Sequence, residues 1–395
     1  MTDIITYLRR PDIQESLKKN PEIIEQVIQL QGTPPRNTLG GKVFWRTVKV
    51  GKWIFQKHKA YDFCRILNDS GHTIANGNEA AFYRRFRYQR NEFAQRKNIT
   101  DKTFGIVFSG GGGNGAYEIG VYKYLYEHGL DQRITGISGT SVGALNGLLF
   151  MQGDYKQAEH LWSSVQQKDM LTPNVQKALT ALDVVVGPLT TLPVKLQSLL
   201  TTQGGVFTQN GIEALIEKNV SWHMIEQARQ LFFCTLLNTK RGCEYRCLTG
   251  LEKRDIVESV LQSASLPIIY GSRQDVTGRY YDGGCPIVGD NVPILPLLRH
   301  GYKDIIVIHL ERDIEENRSK WQDFLLKLDT GSAKIHNVWP SHVLWDGFPN
   351  NWIGNKLAML TINPKINIKR IQLGYEDACK QLKSLEINEH SAYIL

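Results

Sequence analysis

Apolar positions in this chain change their spacing at residue 104. Phe104-Gly105-Ile106-Val107-Phe108 is an unbroken apolar run of strand length, the pattern of a strand buried on both faces. "AYEIGVYKYLYEHG" (116–129) follows with apolar residues at helical spacing and stops at Gly129. "ITGIS" (134–138) predicts a second strand and "SVGALNGLLFMQG" (141–153) a second helix. Strand, glycine turn, helix, strand, tight turn, helix is the order of a parallel sheet with helices on its faces. Further on, "QLFFCTLLNT" (230–239) and "CEYRCLTG" (243–250) predict adjacent strands, and "RDIVESVLQSASLP" (254–267) a helix stopped by Pro267. "GRYYDGG" (278–284) reads as a short strand entering a turn, and "DIIVIHL" (304–310) as another buried strand.

Ahead of residue 104 the pattern is looser. Asp12 and Glu15 open one predicted helix, and "NPEIIEQVIQLQG" (20–32) is a second. "GTPPRNTLGG" (32–41) has the Gly and Pro content of a linker. "FWRTVKVGKWIFQKHKAYDFCRIL" (44–67) mixes aromatics with lysines in the manner of an amphipathic helix, and "NDSGHTIANGN" (68–78) reads as a loop. The expected division is a basic, mainly helical region over 1–100, an α/β domain over 101–310, and a helical and irregular region over 311–395 that packs on it.

With 395 residues the chain can bury a large core, and 42% apolar with 22% charged residues is ordinary for a globular protein. The N-terminus lacks the apolar core of a signal peptide. The apolar segment 178–200 is broken by Asp183, Lys195 and two prolines, so it is expected to lie on a bilayer at most. The expectation is a protein soluble when made, cytoplasmic or peripheral to a membrane, with signal-independent export left open. Cys64, Cys234, Cys243, Cys247, Cys285 and Cys379 are too scattered for a disulfide framework, and no second Cys/His pair accompanies Cys243 and Cys247 to hold zinc.

Candidate chemistry lies where strands end. Gly139-Thr140-Ser141-Val142-Gly143 sits where the second strand turns into its helix. Glycines two positions either side relieve the backbone collisions of a sharp elbow, and the apex hydroxyl then projects towards helix N–H groups. Gly110-Gly111-Gly112-Gly113-Asn114-Gly115 follows the first strand. It also satisfies a dinucleotide-binding glycine pattern, but the second strand does not end in the acid that would hold a ribose, and the Lys-Ser/Thr of a phosphate loop is missing. Glycine-rich turns at helix starts present several N–H groups to one point, which suits an oxyanion. Asp282-Gly283-Gly284 ends a further strand and lies on the same sheet edge.

These three motifs together resemble the patatin-like acyl hydrolases, whose pattern is G-G-G-x-[KR]-G, then G-x-S-x-G, then D-G-[GA]. "SASLP" (263–267), Asn291-Val292-Pro293 and, more weakly, "LGYEDA" (373–378) add to the resemblance. It implies a three-layer α/β/α sandwich on a mostly parallel sheet, a lipid or phospholipid substrate, and no metal or organic cofactor. It also implies a dyad of Ser141 as nucleophile and Asp282 as base, with Gly110, Gly111, Gly112 and Gly113 as oxyanion donors. Asn114, Gly115, Gly139, Gly143, Gly283 and Gly284 support the motifs. Asn114 departs from the pattern: its amide can donate but carries no charge. Two other readings stand beside this one. A Ser-Asp-His triad would need His300, His309, His336 or His342. A non-catalytic lipid- or partner-binding protein would use the same scaffold without turnover. Segment 170–205 is the candidate acyl wall or lid.

The net charge of +8 belongs to the N-terminal quarter, which has 18 Lys and Arg against 9 Asp and Glu. It is densest in "YRRFRYQRNEFAQRK" (83–97), where six basic residues alternate with aromatics. A helix packed by its aromatic face is the plainest reading. Anionic lipid, at roughly 1 kcal/mol per basic residue near the surface, is the functional reading placed ahead of nucleic acid. The need for a protein activator is left open by the sequence.

Overall fold

The computed structural model describes residues 2–8, 10–19, 23, 27, 45–50, 52–58, 63–77, 103–173, 207–267, 269–275, 278–285, 288–328, 330–344 and 359–385. The basic segment 83–97, most of the helix expected over 20–32, and residues 174–205 of the candidate lid lie outside them. Contacts divide the chain into two compact units, 1–98 with 249–252, and 99–248 with 253–395.

In the first unit, segment 44–67 is not the expected helix. It forms β2 (Trp45–Val50), β3 (Trp53–His58) and β4 (Cys64–Leu67), and the expected loop after it contains β5 (Thr73–Gly77). The period is two rather than 3.6: in β3, Trp53 and Phe55 are buried while Ile54 and Gln56 between and beyond them are partly exposed. β2 and β3 pair antiparallel from Trp45 opposite His58 to Val50 opposite Trp53. With β1 (Thr2–Asp3) these strands form a sheet in the order β1-β5-β4-β3-β2. Its apolar face buries Trp53, Phe55, Ile66 and Ala75 with Ile4 and Leu8 of α1 (Ile4–Leu8) and Ile13 and Leu17 of α2 (Pro11–Lys19).

The second unit runs β6 (Phe104–Phe108), α3 (Ala116–Glu127), β7 (Ile134–Thr140), α4 (Val142–Met151) and α5 (Tyr155–Ser164). The small ladder of β8 (Thr172–Pro173) and β9 (Phe207–Thr208) precedes α6 (Asn210–Asn219). There follow β10 (Leu231–Asn238), β11 (Gly242–Cys247), α7 (Lys253–Ser263), β12 (Arg273–Asp275) and β13 (Gly278–Asp282). The unit closes with α8 (Leu295–Arg299), β14 (Asp304–Ile308), α9 (Glu315–Leu326), β15 (Lys334–Val338) and α10 (Pro364–Gln381).

Eight strands form one sheet in the order β12-β13-β10-β7-β6-β14-β15, with β11 also paired to β10. The five from β10 to β15 in that order are mutually parallel, and β11, β12 and β13 join antiparallel. One face packs Val107, Phe233, Ile305 and Val307 against Leu297 of α8 and Trp321 of α9. On the other face Phe108 meets Phe150 of α4, which meets Tyr122 of α3. The result is the expected α/β/α sandwich on a mostly parallel sheet. α10 lies along α3 at a crossing made close by Gly120 and Gly374, where a Cβ on either would strike the other helix's backbone. β15 corrects the reading of 311–395 as helix and loop and places His336 in a strand. An edge strand needs only one apolar face, so "KIHNV" never shows the continuous apolar run of its neighbour β14.

Candidate functional site

Ser141 stands at the junction of β7 and α4 with φ 55° and ψ −121°, the one non-glycine residue of positive φ among the described residues. Such a conformation costs of order 1–3 kcal/mol and persists only where the surroundings enforce it. The surroundings here are specific. A Cβ at Gly139 would overlap the Gly143 carbonyl, and one at Gly143 would overlap the Phe108 carbonyl. The Ser141 carbonyl accepts from the N–H groups of Ala144 and Leu145, starting α4. The Ser141 N–H donates to Ser263 Oγ at 2.8 Å, and that hydroxyl donates to the Thr235 carbonyl at 2.7 Å. The serine side is nearly closed to water, at 7% exposure.

The acid reaches the same point by an unusual pairing. β11 pairs with β10 from Phe233 to Asn238, so β7, facing Leu231–Thr235, and β13, facing Leu236–Asn238, both lie on the opposite edge of β10. They meet end to end there. Thr140 faces Thr235 and Asp282 faces the next residue, Leu236, one strand rise of roughly 3.4 Å along β10. Ser141 follows Thr140 directly into that gap. The Asp282 N–H donates to the Ser265 carbonyl at 2.9 Å and the Gly283 N–H to the Ser263 carbonyl at 3.2 Å. The last residue of α7, Ser263, and the segment after it thus anchor both the serine and the acid. Asp282 Oδ1 accepts from the Gly284 N–H at 2.8 Å, and the residue is 2% exposed.

The glycine loop closes the site's third side. Gly112–Gly115 form a 3-10 turn, entered through Gly112 at φ +54°. Gly110 does not fit its expected role: its N–H donates to the Asn291 carbonyl at 3.0 Å, while Asn291 Nδ2 donates back to the Gly110 carbonyl at 3.0 Å. Gly110 is stapled to the segment after the acid. Gly111, Gly112 and Gly113 head the turn, where N–H groups have no helical carbonyl before them. The loop's later carbonyls are held from behind. Arg370 of α10 donates to the Gly113 carbonyl at 2.8 Å, and Asn146 Nδ2 of α4 to the Gly115 carbonyl at 2.9 Å. Asn146 Nδ2 also donates to Glu118 Oε2 at 2.7 Å, and Trp162 Nε1 donates to Asn146 Oδ1 at 2.8 Å. Glu118 is fully buried, and burial raises its carboxyl well above the ordinary range.

Residues 106–298 match the family model described as patatin-like phospholipase. This segment is a patatin-like domain. It contains all three motifs. No curated protein matches the chain. Among solved structures, VipD from Legionella pneumophila is similar over 72% of this chain and 68% of its own, at 16% identity and a TM-score of 0.37. The type III effector ExoU is similar over 85% of this chain and 58% of its own, at 12% identity and 0.34. Human GIVD cytosolic phospholipase A2 is similar over 77% and 63%, at 11% identity and 0.38. The chain therefore spans less than two thirds of the latter two.

The four histidines considered for a triad have hydrogen-bond partners elsewhere in the unit. His300 Nδ1 bonds the Pro296 carbonyl, His309 bonds Asn337, His336 bonds Asp304 and His342 bonds Ser341 Oγ. His309 is a core residue stacked on Trp339, and burial lowers its pKa to about 4. Among the described residues no cluster of His, Cys, Asp and Glu could hold a metal, and no helix is long and apolar enough to cross a membrane.

Four residues that shape the patatin-like domain's site were not assigned a role from the sequence: Ser263, Glu118, Asn146 and Arg370. Only Asn146 carried a signal, as a lone amide inside the otherwise apolar "ALNGLLF". Ser263, within "SASLP", and Asn291 entered only as part of the resemblance.

Proposed function

We propose that this chain is a serine acyl hydrolase of lipid esters, of the phospholipase A or lysophospholipase type. Ser141 Oγ attacks the ester carbonyl carbon while the Asp282 carboxylate takes its proton. The carbonyl oxygen becomes an oxyanion held by the N–H groups of Gly111, Gly112 and Gly113. The C–O bond to the alcohol then breaks, and the alcohol leaves with the proton from Asp282. The acyl group stays on Ser141. A water gives a proton to Asp282 and attacks the acyl-enzyme, and the fatty acid leaves as Ser141 recovers its proton.

The observation that supports this reading is the meeting of β7 and β13 on one edge of β10, with the strained Ser141 just past the end of the first and Asp282 at the end of the second. The match to a family described as phospholipases supports a lipid substrate. Attachment to anionic membranes through segment 83–97 belongs to the same proposal, and salt-dependent sedimentation with anionic vesicles, with and without residues 1–100, tests it. The activity itself is tested by mass spectrometry of products from mixed phospholipids. Wild type should release fatty acid and lysophospholipid or its headgroup remnant, and Ser141→Ala should release neither.

A further inference from the structure

Arg370 is an arginine buried to 2% exposure, in a helix whose sequence gives no hint that it enters the core. Its guanidinium touches three separate stretches of backbone. Nε donates to the Leu344 carbonyl at 2.5 Å, and Nη1 to the carbonyls of Gly113 at 2.8 Å and Thr361 at 3.0 Å. Nη1 also lies 3.4 Å from Asn367 Oδ1. Asn367 in turn donates to the Trp162 carbonyl at 3.0 Å, and Trp162 Nε1 reaches Asn146, which holds the Gly115 carbonyl. A continuous buried polar chain therefore grips the glycine turn at both Gly113 and Gly115. Space on the outer side of the turn is fully taken. A Cβ at Gly113 would overlap the Thr361 carbonyl and come within 3.1 Å of Arg370 Nη1.

We propose that Arg370 is the positioning residue of the oxyanion loop. A glycine run has almost no conformational preference of its own. The rigid fork of a guanidinium fixes the Gly113 carbonyl outward, and the peptide units before it then turn their N–H groups towards Ser141. The same fork brings a permanent positive charge behind a turn whose own side chain, Asn114, is neutral. Arg370 touches neither substrate nor Ser141 and acts only through the loop.

This inference rests on the hydrolase reading and is tested in the full-length chain with a short-chain p-nitrophenyl ester, measuring kcat, KM and thermal midpoint together. Arg370→Lys keeps charge but loses the fork. Assayed well below its own midpoint, it should lose at least about tenfold in kcat with KM within about threefold, because the loop acts on the transition state. Arg370→Gln should lose at least about a hundredfold, and guanidinium added to Arg370→Ala should restore part of kcat. A purely structural arginine would lower the midpoint and leave kcat of the folded variant unchanged. Folded Arg370→Lys turning over within about twofold of an active wild type overturns the proposal. A wild type that hydrolyses no ester overturns the hydrolase reading first, and this inference with it.

Discussion

Ser263 offers the sharpest test of how the elbow is held. Its hydroxyl accepts the Ser141 N–H at 2.8 Å and donates to the Thr235 carbonyl at 2.7 Å, with no exposure to water. Ser263→Ala leaves a buried N–H unpaired, at about 1–3 kcal/mol, and removes one donor from a buried carbonyl, at about 1 kcal/mol. The sum is about 2–4 kcal/mol, which for a unit of this size lowers the thermal midpoint by roughly 4–16 °C. The effect on turnover is separate. Ser141 holds a conformation worth about 1–3 kcal/mol of strain, and the lost bond is one of the restraints opposing its relaxation. Small displacement of a nucleophile costs roughly ten- to a hundredfold in rate, so kcat should fall by that factor at temperatures where the variant is folded. Ser263→Cys, with a weaker acceptor, should fall between. The assays are differential scanning calorimetry and steady-state ester hydrolysis. An alanine variant with its midpoint within about 1 °C of wild type and kcat unchanged would show that the bond neither stabilises nor positions.

Three further outcomes follow from the same geometry. Gly143→Ala forces a Cβ onto the Phe108 carbonyl and should cost about 1–3 kcal/mol or more, read from the urea midpoint; an unshifted midpoint contradicts it. Glu118 has a folded-state pKa above its ordinary 4.5, so its contribution to stability is complete below that pH and is lost as pH rises towards the raised value. Glu118→Gln should therefore be no less stable than wild type near pH 8, with a flatter dependence between about pH 5 and pH 8, and parallel curves for the two proteins would refute this. Alanine at His300, His309, His336 or His342 should leave kcat of the folded protein within about threefold, whereas a loss of three orders of magnitude at any one of them would restore the triad.

The α/β half of the molecule was legible because its strands are buried on both faces and its turns are forced. Continuous apolar runs at 104–108 and 305–308 have few alternatives, and Gly139 and Gly143 are required by carbonyls that no other residue type would clear. The N-terminal sheet was misread because "WRTVKV" and "WIFQKH" carry aromatic, β-branched and basic residues in a two-residue alternation that, over six residues, also fits one face of a helix. The glycine in the sequence between the two runs, at position 51, was the stronger signal. Ser141 and Asp282 were visible because their motifs are local. Ser263, Glu118 and Arg370 were not, since each sits in a helical sequence whose polar residues are expected at the surface. Only the folded chain shows the serine turned inward onto the Ser141 elbow and the acid and arginine turned inward around the glycine turn. The Gly110 assignment failed for a related reason: its partner, Asn291, lies 181 residues away.

The most direct test of the Ser141–Asp282 pairing is covalent labelling with a fluorophosphonate, mapped by peptide mass spectrometry and timed. Wild type should carry a single adduct on the peptide containing Ser141. Ser141→Ala should carry none, and Asp282→Asn should label at least about a hundredfold more slowly. An adduct on another residue, or Asp282→Asn labelling at the wild-type rate, would contradict the pairing.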